Sequence, residues 1–70
     1  MKFLIWSNEH RAWWGPSRLG YISIISRAGR YEQQDAYEIC ADANAYLREG
    51  AEPKEVAVIA PESVGGSTNG

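Results

Sequence analysis

Catalysis in a chain of 70 residues would need a nucleophile, a bound metal or a tuned acid–base pair, and few side chains here are of those types. His10 is the only histidine and Cys40 the only cysteine. A structural zinc site takes about four such ligands, so neither residue completes one. A Cys40–His10 pair would put a nucleophile beside a base. Cys40, however, falls on the apolar stripe of a helix, where burial keeps a thiol protonated and inert. In an extended segment Glu9 points away from His10, which reads as a solvated turn residue. Asp35 and Glu38 lie on a helix face turned to water, with no apolar pocket to drive their pKa values apart. Gly65-Gly66 follows a strand and opens no helix, so it is not a phosphate loop. The expectation is a chain with no catalytic residue, no metal and no cofactor.

Two other groups of residues have the types and spacing of binding surfaces. The first is Asp35, Glu38, Asp42 and Glu49. At about 100° per helical residue they fall within about 60° of one another and about 120° from the apolar stripe. The plain reading is a solvated helix surface. The functional one is a row of carboxylates about 5–6 Å apart that imitates phosphates and docks on a basic nucleic-acid channel of another protein. Arg48, the only cation of the helix, lies about 110° from the cluster and relieves little of its repulsion. The second group is aromatic and basic: Trp13 and Trp14 with Arg11, Arg18 and Arg30. Adjacent tryptophans on a strand point to opposite faces, so one enters the core and the other is left exposed or lies under a loop. The plain reading is rings filling a small core. The functional ones are a tryptophan anchor for a protein partner or a stacking platform for single-stranded nucleic acid.

The elements that position these groups are legible from periodicity and breakers. Lys2–Ser7 is rich in bulky residues and reads as a central strand, apolar on both faces. Ala12–Trp14 returns as a second strand after a loop of about four residues. Gly15-Pro16 ends it. Gly20 to Tyr31 has two readings: a short strand from Tyr21 followed by a turn, which is favoured, or a single helical turn over Ile24–Ala28 ending at Gly29. The helix spans Gln33 to Arg48, without glycine or proline, and its apolar face is Ala36, Ile39, Cys40, Ala43 and Leu47. Glu32 and Asp35 sit at its positive end, and Gly50 is its stop. Glu55–Ile59 is the last strand, placed beside the first. The fold class is therefore α+β: a small antiparallel or mixed sheet of three to four strands with one helix across one face. Residues 1–61 form a single domain and 62–70 a flexible C-terminal tail.

Composition narrows the setting. The net charge of −2 hides an uneven distribution: residues 1–31 carry five cations and one carboxylate, residues 32–70 two cations and eight carboxylates. If those halves separate in space, a charged partner is steered to one side. No apolar run approaches the ~20 residues of a membrane span. Phe3-Leu4-Ile5-Trp6 is too short for a signal-peptide core. A single cysteine and no export signal point to the cytoplasm.

The blocks Ile5-Trp6-Ser7-Asn8-Glu9-His10, Ala12-Trp13-Trp14-Gly15-Pro16, Gly20-Tyr21 and Ala28-Gly29-Arg30-Tyr31, with Ala36 to Ala43 of the helix, resemble a group of small uncharacterised proteins of proteobacterial phages and prophages. The resemblance covers roughly residues 1–60, and Trp-Trp-Gly-Pro is its most specific part. Ile22–Ser26 departs from it, since similar proteins tend to be acidic and polar there. The resemblance transfers no activity. It implies a setting in which small accessory proteins bind and disable host machinery. The function expected is a non-enzymatic, anti-CRISPR-like inhibitor. Its acidic helix face would compete with nucleic acid on a host protein complex, such as a CRISPR effector, inside a bacterial cell. The alternative is a small nucleic-acid-binding module using the arginines and an exposed tryptophan; direct nucleic-acid binding is the lesser expectation. No membrane partner is expected. A sheet this small also leaves an edge on which a homodimer could form.

Overall fold

Lys2–Ser7 (β1) forms three ladders, and the rest of the molecule is arranged around it. The computed structural model describes residues 1–65. On one side β1 pairs antiparallel along its whole length with Glu55–Ile59 (β5), from Phe3 opposite Ile59 to Ser7 opposite Glu55. On its other side two strands share the edge end to end. Ala12–Trp14 (β2) takes the C-terminal half, with Trp6 opposite Trp13. Tyr31–Glu32 (β4) takes the N-terminal half, with Phe3 opposite Tyr31. Tyr21–Ile22 (β3) extends the sheet beyond β2. All pairs are antiparallel, so the sheet has five strands, one more than the upper expectation because two-residue β4 gives no periodicity to read.

The helix Gln33–Ala43 (α1) covers one face. Phe3 and Ile5 of β1 meet Tyr31, Ala36 and Ile39 there, and Trp14, Cys40 and Ala57 pack against them. The other face is thinner. Leu4 is fully buried under Ala28 and Ala60, and Trp13 closes that cluster. Directly paired residues share a face, so Ile22, Trp13, Trp6 and Val56 make one apolar row across four strands on this side. Trp6 and Trp13 meet edge to face with centroids 4.9 Å apart. The two tryptophans of β2 thus do point to opposite faces, and the first and last strands do lie side by side.

The chain between β2 and β4 is held where it leaves and rejoins the sheet. Gly29 N–H donates to the Trp14 carbonyl at 2.9 Å. A Cβ on Gly29 would lie 2.6 Å from the Gly15 oxygen, so the two backbones approach more closely than any side chain allows.

Two expectations about the ends of elements are corrected. The helix stops at Ala43, not Arg48. The Asn44 side chain reaches β5: its Nδ2 donates to the Glu55 carbonyl at 2.9 Å, and its Oδ1 accepts from Lys54 N–H at 2.7 Å and Glu55 N–H at 3.2 Å. Those bonds turn the chain toward the last strand. Leu47 is half-buried but lies outside the helix, lining a hollow with Asn8, Glu9 and Pro53. Pro61–Gly65 (α2), where the tail was expected to begin, is a helical turn. Ser63 Oγ accepts Lys2 N–H at 2.9 Å, and Glu62 receives Arg30 Nε at 2.8 Å and Nη2 at 3.0 Å. The rest of the expected tail, 66–70, lies outside the described residues.

Candidate functional site, a groove across Trp14

Trp14 is half-buried against the core cluster of Phe3, Ile5, Tyr31, Ala36 and Ile39. It lies on the α1 side of β2, near the edge of the helix. Its indole Nε1 donates to Glu55 Oε2 at 3.2 Å. The rest of the ring floors an open groove of about 420 Å³ lined by Arg18, Ile39, Asp42 and Ala43. A second lobe of about 250 Å³ continues past Arg18 to Gly20 and Tyr21. Tyr21 meets Trp14 edge to face at 6.5 Å and stacks on His10 at 3.9 Å.

One wall of the groove is the turn Pro16–Arg18, and it is strained. Ser17 and Arg18 have φ of 56° and 62°, the left-handed region that side chains with a Cβ avoid. Consecutive residues of this kind persist only where surrounding bonds over-determine them. Here Gly15 N–H donates to the Gly20 carbonyl at 2.9 Å and Leu19 N–H to the Pro16 carbonyl at 3.0 Å. The buried Tyr31 hydroxyl donates to the Gly15 carbonyl and accepts Arg18 N–H at 3.0 Å. The opposite wall is α1, fixed to the sheet by Ala36 and Ile39. Arg18 and Asp42 therefore project from rigid walls on either side of an aromatic floor. Neither is in a salt bridge among the described residues.

Both expected constellations are divided by the fold. Asp35, Glu38 and Asp42 are exposed on α1. Glu38 has only a long contact from Gln34 Nε2 at 3.4 Å, and none of the three pairs with a cation among the described residues. Glu49 is exposed but lies six residues beyond the helix end, so it does not continue the row; this corrects the four-carboxylate alignment. In the aromatic and basic set, Trp14 and Arg18 come together and the others do not. Trp13 lies on the far face. Arg11 sits in the β1–β2 loop with φ of 56°. The Arg30 guanidinium is taken up by Glu62 and by the carbonyls of Ile25 at 2.9 Å and Ala28 at 2.7 Å.

Glu55 was not singled out in the sequence. It is 5% exposed, and its Oε1 has no hydrogen-bond partner among the described residues. The signal was present: a period of two places Glu55 on the same face as Ala57 and Ile59, the face that meets the helix. Burial, with a smaller contribution from the Glu55 carboxylate, pushes the Cys40 thiol up from its ordinary value. That favours the protonated, unreactive form. His10 is stacked on Tyr21 and makes no hydrogen bond to Cys40 among the described residues. No cluster of three His, Cys, Asp or Glu capable of holding a metal occurs among the described residues. No helix among them is long and apolar enough to cross a membrane.

No protein-family model, curated protein or solved structure matches this chain.

Proposed function

We propose that this chain is a non-catalytic docking protein that presents the acidic face of α1 to a basic surface of a larger protein complex and inhibits it by occupying ground that nucleic acid would use. The observation that carries the reading is the ridge Asp35, Glu38 and Asp42, exposed, without cation partners among the described residues, and running into the Trp14 groove. Three carboxylates over seven residues of helix give about one charge per 5 Å, against about one per 3.4 Å along one strand of duplex DNA. Charge alone gives poor affinity and a fast encounter. The groove adds what charge lacks, an apolar floor beside Arg18 into which a partner's side chain can anchor. The resemblance to phage-associated proteins points to host machinery as the partner, with a CRISPR effector complex as the narrower choice and the bacterial cytoplasm as the place.

The nucleic-acid-binding alternative has less support. Trp13 and Trp14 lie on opposite faces, and Arg30 is held by Glu62, so the arginines and rings do not converge on one strand path.

The test is capture of a host complex by the wild type and by the Glu38→Lys, Asp42→Lys double variant, with circular dichroism to verify folding. The wild type retains the complex, added DNA displaces it, and the double variant loses it. Retention unaffected by the two lysines overturns the acidic-ridge mechanism. A gel shift with single-stranded DNA stays blank; a salt-dependent shift favours the alternative.

A further inference from the structure

The alternation of backbone groups along β5 determines which of them face out of the sheet. Asn8 N–H donates to the Lys54 carbonyl at 2.8 Å and Ala60 N–H to the Lys2 carbonyl at 2.9 Å. In an antiparallel ladder the bonding residues alternate, so Val56 and Val58 face β1, while Glu55, Ala57 and Ile59 direct N–H and C=O outward. The outward groups of Glu55 are taken by the Asn44 side chain. Those of Ala57 and Ile59 have no hydrogen-bond partner among the described residues, and β5 pairs with β1 alone. Val58 and Ile59, on opposite faces of this edge, are 38% and 40% exposed.

We propose that this edge pairs antiparallel with β5 of a second copy of the chain, about a two-fold axis at Val58. Ala57 then stands opposite Ile59 of the second copy, and each exchange gives two backbone bonds, four in all. Val58 faces its own counterpart at the close, non-bonded position on the thin face of the sheet. The register is self-terminating. One step further out, Glu55 comes level with Pro61 of the second copy. Glu55 is already satisfied by Asn44, and proline has no N–H to leave unpaired. Beyond it the chain turns into α2, so the ladder cannot lengthen. Sheet edges that must stay single are protected by lysine, proline or a bulge; Val56–Ile59 has none of these, and its register with β1 is unbroken. The pairing covers the exposed Val58 and Ile59 and joins the two apolar rows into one continuous face. A dimer of this kind is closed, because each chain has used its edge.

Sedimentation equilibrium of the intact chain from about 10 μM to 1 mM tests this, a range set by the small contact. The wild type moves from 7.8 kDa toward twice that mass. Ala57→Pro removes an outward donor and leaves the β1 ladder intact. Val58→Lys places like charges face to face. Each weakens association at least about tenfold, with thermal unfolding by circular dichroism verifying that the variants fold. If one variant fails to fold, the other gives the result. A wild type that stays monomeric at 1 mM, a dimer indifferent to the folded variants, or growth beyond the dimer overturns the proposal.

Discussion

The Tyr31 hydroxyl accepts the Arg18 amide at 3.0 Å from thirteen residues downstream, and so holds a left-handed arginine at the lip of the Trp14 groove. The same oxygen donates to the Gly15 carbonyl, which fixes the start of the turn as well as its end. One buried phenol thereby links β4 to the wall of the candidate site.

Tyr31→Phe keeps the ring in the core and removes both bonds. A buried carbonyl and a strained amide lose their partner, which costs about 1–3 kcal/mol. Urea denaturation reads the loss. Amide exchange at Arg18 accelerates by more than the global destabilisation accounts for, because the turn opens locally.

Asn44→Ala removes three bonds between the end of α1 and the start of β5. The expected loss is about 1–3 kcal/mol. Nuclear magnetic resonance shifts show α1 fraying or lengthening past Ala43, while β1 and β2 keep their positions. An unchanged helix end would mean that Asn44 does not set it.

Trp14 supplies the one hydrogen bond that the buried Glu55 carboxylate receives among the described residues. Trp14→Phe therefore costs about 2 kcal/mol or more in the wild type. In a Glu55→Met background the same change costs clearly less, since no carboxylate is left stranded. Equal costs in a double-mutant cycle would show that the bond contributes nothing.

The Arg30–Glu62 pair makes stability depend on pH in acid. Bonding from the Arg30 guanidinium holds the Glu62 carboxyl at about 2, below its ordinary 4.5. The folded value lies below the unfolded one, so the contribution is complete above about pH 4.5 and fades as pH falls toward 2. In thermal unfolding, wild type and Glu62→Gln converge near pH 2 and separate by pH 5, with a constant gap above that. Added salt narrows the gap, since Glu62 is half-exposed.

The parts of the fold legible in the sequence are those written in local periodicity. Lys2–Ser7, Ala12–Trp14 and Glu55–Ile59 are long or apolar enough to announce themselves, and Gln33 opens the helix where the pattern changes from period two. The end of the helix was not legible. Nothing between Asn44 and Arg48 forbids helix, and the bonds that stop it come from Lys54 and Glu55, ten and eleven residues further on. The row of four carboxylates failed with it, because Glu49 depended on six more helical residues. The groove was half legible. Trp14 and Arg18 were candidates on type alone, but their convergence with Asp42 needs a turn with positive φ at Ser17 and Arg18, a conformation that serine and arginine do not advertise. Glu55 was hidden by its place at the start of an apolar strand, where a charge reads as a boundary.

The three ladders of β1 also set a timetable. Its partners arrive from the ribosome in the order β2, β4, β5, and the longest ladder waits for about 50 residues after Ser7 has been made. At 5–20 residues per second, that is about 3–10 s during which the most apolar stretch of the nascent chain has at most the short strands β2 and β4 beside it. Phe3-Leu4-Ile5-Trp6 is then the apolar segment left most open to chaperone binding until β5 has been made.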